Sequence, residues 1–264
     1  MNKACIFLAA ATPALLTVAS CGQALMQPEA GVPDPVVECY LEEGKNLIRL
    51  KVYTLEEYIG EDFVLSKPVA GLQPRVNDRT LEETSPGSYA LDLGEDTIRG
   101  GQEFRLGFSY EGRQVSAVTV APSPPTGLKI EPSTIVFSAW GAYFGASAED
   151  TTEIVLSWED PGGDFYQLYI VSPGSSTVNT SSGPVPGRRM MQPFRGNRQV
   201  LRPMDFPAAG YYTIYLYRVN KDYAELYERI SSTDLANPVS FVENAMGVFT
   251  SLSVARTGFT VTEE

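Results

Sequence analysis

Thirty-two aspartates and glutamates, three cysteines and no histidine make up the reactive inventory of this 264-residue chain. Without imidazole, the Ser-His-Asp and Cys-His machineries in their usual forms are excluded, and so are imidazole-based zinc sites. Neither a P-loop nor a dinucleotide-binding fingerprint is present. Carboxylate chemistry is what remains. A glycosidase needs two acids facing each other across a cleft, and so many acids supply candidates without singling out a pair. Asp160 and Asp164 flank Pro161-Gly162-Gly163. They could offer oxygens to Ca²⁺, but two carboxylates are few for an ion that takes six to eight ligands, so the segment reads first as a strand-connecting turn. The expectation is a non-enzymatic body with no catalytic residues, no metal and no cofactor.

Two groups of residues are better suited to binding. The run Tyr211-Tyr212-Thr213-Ile214-Tyr215-Leu216-Tyr217 puts Tyr212, Ile214 and Leu216 on one strand face and Tyr211, Thr213, Tyr215 and Tyr217 on the other. The second face is a candidate stacking platform for a glycan or a peptide, because tyrosine pairs a flat apolar ring with a hydrogen-bonding tip. The alternative is that these rings cover an interface between modules or a sheet edge. The segment 172–210 carries Arg188, Arg189, Arg195, Arg198 and Arg202 against one acid, Asp205. Such a concentration of guanidinium can meet an anionic ligand or an acidic partner surface, or it can be a solvated loop that balances nearby acids.

The cysteines have separate fates. Lys3 precedes an apolar stretch from Cys5 to Ala19, interrupted by Pro13 and too short to span a bilayer. The stretch closes on Val18-Ala19-Ser20-Cys21, which resembles the bacterial lipobox. The resemblance implies cleavage after Ser20 and a diacylglycerol plus N-acyl lipid on Cys21. Gly22 rather than Asp follows, which by the same resemblance points to the outer membrane, with periplasmic or surface orientation open. Cleavage removes one lysine and no acid, taking the formal charge from −12 to −13. A body this acidic has no general affinity for nucleic acid or an anionic bilayer, so membrane attachment rests on the lipid. Cys39 is then the one thiol of the body, inside Val36-Val37-Glu38-Cys39-Tyr40-Leu41, where a buried strand position is expected.

The elements that must position these residues are strands. Ile48, Leu50 and Val52 alternate with Arg49, Lys51 and Tyr53, the pattern of a half-buried strand. Phe104, Leu106, Phe108 and Tyr110 point one way, Glu111-Gly112 turns the chain, and Val115 to Val120 returns. The predicted organisation is a signal peptide over 1–20, a tether over 21–35, an N-terminal β-sandwich over 36–120, a Pro-rich linker over 121–127, and a C-terminal sandwich over 128–264 containing the Arg-rich loop 172–210. Strands around Ile154–Trp158 and Phe165–Val171 resemble the second and third strands of a fibronectin type III sandwich, with Trp158 as the core aromatic. Asn220 can cap a short helix in which Tyr223, Leu226, Tyr227 and Ile230 share a face. The fold class is therefore all-β, two tandem immunoglobulin or fibronectin III-like sandwiches with one short helix.

Taken in order, the lipobox, the Val36-Val37-Glu38 strand, the Gly87-Ser88-Tyr89 turn, the strand Gln102 to Leu106, the Pro122–Pro125 segment, the Ser157-Trp158-Glu159-Asp160-Pro161 corner, the Tyr223–Ile230 helix and Asn237-Pro238-Val239-Ser240 leading to Gly247-Val248-Phe249 resemble an uncharacterised family of Bacteroidota outer-membrane lipoproteins, often encoded beside TonB-dependent receptors. The resemblance brings no catalytic residues. It implies an outer-membrane accessory protein that assists a TonB-dependent transporter by binding ligand or partner. The alternatives are a structural or assembly lipoprotein of the envelope with no small-molecule ligand, and, further off, a carboxylate-dependent glycan hydrolase.

Overall fold

A computed structural model describes residues 33–55, 66–137, 153–173, 177–180, 183–186, 188–206, 209–231 and 240–263. The signal peptide 1–20, Cys21 and the tether as far as Val32 lie outside them. Residues 33–264 form one compact unit, which holds every described strand and both cores.

The expected alternation is realised strand by strand. In Leu47–Leu55, Ile48, Leu50 and Val52 are buried while Arg49 and Lys51 are exposed. Phe104, Leu106, Phe108 and Tyr110 face inward from Glu103–Tyr110, paired in an unbroken antiparallel register with Arg113–Val120. Between them Glu111 and Gly112 both take positive φ, 48° and 75°, the conformation of a two-residue hairpin turn whose twist matches that of the strands it joins.

Eleven strands form one large sheet. Its main path runs Arg188–Met190, Phe165–Val171, Gly210–Val219, Met246–Glu263, Pro35–Glu42, Leu47–Leu55, Ser88–Asp92 and Glu82–Ser85. A four-stranded sheet that includes the 103–120 hairpin covers one end, and Val37, Cys39, Leu41, Ile48, Leu50 and Tyr89 pack there against Val76, Phe104, Leu106, Phe108 and Val115. Burial pushes the Cys39 thiol up to about 12, consistent with the inert strand thiol expected. A three-stranded sheet, Thr126–Glu131, Ile154–Glu159 and Arg198–Leu201, covers the other end. Trp158 is buried there beside Tyr166, with ring centroids 5.2 Å apart, and Phe194 at 5.8 Å. Among the described residues the fold is all-β with two sandwich modules and one α-helix, Lys221–Ser231.

The two modules share a strand. Met246–Glu263 pairs in parallel with Pro35–Glu42 through Met246–Leu252, then antiparallel with Gly210–Val219 through Leu252–Val261. Phe249 belongs to the first core, Phe259 and Val261 to the second. The first module is therefore not built from 36–120 alone, since Val242, Ala245 and Phe249 complete its core. The segment 172–210, read from its Pro, Gly, Ser and Arg content as a loop, carries five short strands among its described residues. Arg198–Leu201 pairs with Ile154–Ser157, and Arg188–Met190 with Tyr169–Val171. These pairings satisfy edge N–H and C=O groups that would otherwise stay open.

Candidate ligand-binding face

Side chains alternate across a strand with period two, and this decides which face of the large sheet the two smaller sheets leave uncovered. Along the shared strand the odd residues Phe249, Phe259 and Val261 all enter cores. Both smaller sheets therefore cover the same side. The opposite side carries Tyr169 on Phe165–Val171, Tyr215 and Tyr217 on Gly210–Val219, Val254 and Arg256 on the shared strand, Glu38, Tyr40 and Glu42 on Pro35–Glu42, and Arg49, Lys51 and Tyr53 on Leu47–Leu55. Part of this side is covered: Gln167, Val219, Val248 and Thr250 are buried on it, and helix Lys221–Ser231 meets it through Tyr223. The remainder presents tyrosines and charges from both modules.

Tyr215 and Tyr217 stand with ring centroids 6.4 Å apart and planes at 21°, and Tyr169 meets Tyr217 edge-on at 5.3 Å. On their inward side Tyr212, Ile214 and Leu216 are fully buried. The helix contributes Tyr223, whose hydroxyl donates to Gln167 Oε1 at 2.8 Å and whose ring lies edge-on to Tyr40 at 6.2 Å; Tyr227 follows at 6.4 Å. Burial raises the Tyr223 phenol well above its usual range. Tyr211 stands apart. Its ring tip covers Gly258, where a methyl group would overlap the hydroxyl, and it stays 62% exposed.

Hollows run along this face. One of about 540 Å³ is lined by Glu38, Tyr40, Glu42, Lys45, Arg49 and Lys51, among others. A second, about 410 Å³, shares Glu42 and Lys45 with it and adds Glu43, Tyr215, Val254 and Arg256. A third, about 530 Å³, shares Glu38 and Lys51 and adds Tyr53, Leu55 and Pro68. The Tyr53 hydroxyl donates to Glu38 at 2.7 Å, and burial together with this bond to the carboxylate raises its pKa. Glu38 and Glu42 lie four residues apart on one strand, roughly 13 Å at the rise of extended chain, outside the carboxylate spacing of roughly 5 to 10 Å that glycoside hydrolysis uses.

Among the arginines of 172–210 with described side chains, Arg195, Arg198 and Arg202 do not converge. The Arg195 guanidinium lies 4.0 Å from the Phe165 ring centroid and donates to the Gly163 carbonyl at 2.8 Å. Arg198 is 3.5 Å from Glu153. Arg202 is exposed, and its backbone N–H donates to Asp205 at 2.9 Å. The backbones of Arg188 and Arg189 pair at the sheet edge with Val171 and Ile170; their side chains lie outside the described residues. Asp160 and Asp164 form the expected turn. Asp160 accepts from the Asp164 N–H and the Tyr166 hydroxyl, both at 3.1 Å. Burial raises its pKa, but these bonds and those from the Gly163 and Gly162 N–H groups outweigh it, and the net shift is downward. Asp164 instead pairs with Arg218.

Sequence reasoning missed two features. Glu38, Tyr40, Arg49, Lys51 and Tyr53 read as the wet side of two strands, and only the sharing of a sheet turns that side into a trough. Asn220, expected as a helix cap, sends its amide nitrogen to Thr119 Oγ1 at 2.9 Å and to the Val120 carbonyl and Ser251 Oγ, each at 3.1 Å. It ties the start of the helix to the first module. An Asn ahead of a helical pattern signals a cap more strongly than a tether, so nothing local marked this role.

No protein-family model and no curated protein matches the chain. Among solved structures it is similar to the FN1–FN3 domains of chicken CNTN1, with 14% identity, a TM-score of 0.28, and 72% of this chain and 63% of that one covered. It is also similar to titin domains A168–A170 at 10% identity and a TM-score of 0.23, covering 88% and 67% of the two chains, and to the DIP-gamma IG1 and IG2 domains at 7% identity and 0.20, covering 88% and 98%. The chain spans less than two thirds of the CNTN1 structure. The fold assignment rests on its own strand pairing and its two cores.

Proposed function

We propose that this protein is a non-enzymatic binding lipoprotein of the bacterial outer membrane, held by lipid on Cys21, that uses the open face of its shared sheet to engage a ligand or partner. The observation that carries the reading is that face: a run of hollows lined by tyrosines and by charges of both signs, continuous across two modules. Rings with polar tips and flexible charged side chains are binding chemistry, and Glu38 and Glu42, four residues apart on one strand, stand farther apart than a hydrolytic pair. The lipobox-like Val18-Ala19-Ser20-Cys21 supports the anchor. Partnership with a TonB-dependent transporter rests on the resemblance drawn from sequence.

The test is capture of a C-terminally tagged full chain from detergent-solubilised outer membranes of the native host, followed by mass spectrometry. A co-purifying TonB-dependent transporter supports the uptake role. Envelope structural proteins recovered in its place move the function to assembly.

A further inference from the structure

The run of hollows has a regularity that its residue types alone do not convey, because each contains one tyrosine of the sheet face. Tyr40 lines the first, Tyr215 the second and Tyr53 the third, and the first shares charged residues with each of the other two. By register Tyr53 and Tyr40 lie four positions apart on neighbouring strands, and Tyr40 and Tyr215 six positions and two strands apart, so the three rings follow one diagonal line across the sheet, at unequal intervals. Tyr40 is 48% exposed, and the Tyr53 ring is held by its hydroxyl bond to Glu38.

Charge narrows the ligand class. The linings bring together three acids, Glu38, Glu42 and Glu43, and four bases, Lys45, Arg49, Lys51 and Arg256. In a chain of −12 this surface is near balance, with both signs interleaved. A polyanion or polycation would meet a like charge beside nearly every opposite one. Hydroxyl groups donate and accept, and so use carboxylates and ammonium or guanidinium groups alike. An extended peptide binds a sheet most readily by adding to a free strand edge. Here both edges of Pro35–Glu42 are taken, by Leu47–Leu55 and Met246–Glu263, which leaves side-chain contacts from above.

We infer that the trough of Tyr215, Tyr40 and Tyr53 binds an uncharged linear glycan, one ring stacking on a sugar face in each hollow while the charged side chains between them hydrogen-bond the hydroxyls. The inference rests on the reading of the sheet face as the binding surface. It is tested with the full chain in detergent by isothermal titration against three ligand sets: neutral linear oligosaccharides, acidic oligosaccharides and extended peptides. Tyr40→Ala, Tyr53→Ala and Tyr215→Ala are compared with Tyr40→Phe and with Tyr211→Ala, which lies off the trough, and thermal melts establish that each variant is folded.

Neutral oligosaccharide should bind, with affinity changing less than about twofold between about 50 mM and about 500 mM salt. Each of the three alanine variants should lose about three- to tenfold in affinity, whereas Tyr40→Phe and Tyr211→Ala stay within about twofold of the parent. Binding of acidic glycans or peptides that depends on the same three tyrosines keeps the face as the binding surface and overturns the ligand class. Neutral-glycan binding that none of the three alanine variants weakens overturns the trough. Failure of every ligand set to bind overturns both the trough and the binding face.

Discussion

Replacing Gly247 with alanine tests the strand pairing on which the shared sheet depends. Gly247 has φ of +98° and stands opposite Val37 in the parallel pair of Met246–Glu263 with Pro35–Glu42. A Cβ there would overlap the Val37 carbonyl oxygen and sit 3.0 Å from its nitrogen, both backbone atoms that cannot turn aside. The unfavourable φ costs about 1–3 kcal/mol, and forcing a methyl group into closed packing costs about another 1–3 kcal/mol. Together they cost about 2–6 kcal/mol, a large share of the roughly 5–15 kcal/mol that holds a folded protein together. At about 2–4 °C per kcal/mol for a body of this size, the melting temperature should fall by roughly 4–24 °C. Gly44→Ala is the control, since Gly44 also has positive φ, +81°, but nothing lies within 4 Å of its added Cβ. It should show the conformational part alone, about 1–3 kcal/mol and roughly 2–12 °C. The assay is differential scanning calorimetry of both variants beside the parent at pH 7. If Gly247→Ala melts within about 2 °C of Gly44→Ala, the close approach of the two strands is refuted, and with it the sheet that joins the modules.

Cys21→Ala should abolish metabolic labelling with radiolabelled fatty acid and leave unprocessed precursor; unchanged labelling removes the lipid anchor from the account. Asn220→Ala withdraws the amide that reaches Thr119, Val120 and Ser251, leaving at the module junction the hydrogen bond between the Thr119 and Ser251 hydroxyls, so the denaturant midpoint should correspond to a loss of about 1–3 kcal/mol; a midpoint equal to that of the parent shows that this amide does not hold the junction. Asp160 has a folded pKa below its ordinary value, so it adds stability above the unfolded carboxylate pKa and gives it up as pH falls through the folded one. Asp160→Asn should therefore flatten the loss of stability on acidification below about pH 4, read from urea midpoints taken across that range; an unchanged slope places the acid sensitivity in other carboxyls.

Local pattern was legible and non-local pairing was not. The alternation of Ile48, Leu50 and Val52 with Arg49 and Lys51, and the Glu111-Gly112 turn between two apolar arms, are short-range signals that the structure realises. Trp158 between paired strands marked the second core for the same reason. The partner of Met246–Leu252 lies some two hundred residues earlier, in Pro35–Glu42, and no spacing within either segment encodes that match. The short strands of 172–210 were hidden by Pro and Gly content, because their role is to close edges rather than to build a core. Clustering along the chain does not say where guanidinium groups go: Arg195 lies on Phe165 and Arg198 beside Glu153. Tyr40 and Tyr53 were visible only as outward residues, since an outward position becomes a site only when the chain leaves that side of the sheet uncovered.

That uncovered side follows from one strand. A strand that runs through two sandwiches without changing its alternation must turn the same face to both cores, and Phe249 and Phe259 do this ten residues apart. The side that both smaller sheets leave is then the same along the whole strand. This has a direct test at the crossover, Leu252, which pairs with Glu42 on one side and Val219 on the other. Inserting one residue between Leu252 and Ser253 reverses the phase downstream. It would turn Phe259 and Val261 out of the second core and Arg256 into it unless a bulge absorbs the extra residue. Inserting two residues keeps the phase and only shifts the register. The single insertion should abolish the cooperative melt of the second module or lower it well below that of the double insertion, followed by calorimetry and by soluble yield. If the single insertion is the better tolerated of the two, the alternation of this strand does not set the two cores on one side, and the open face has some other origin.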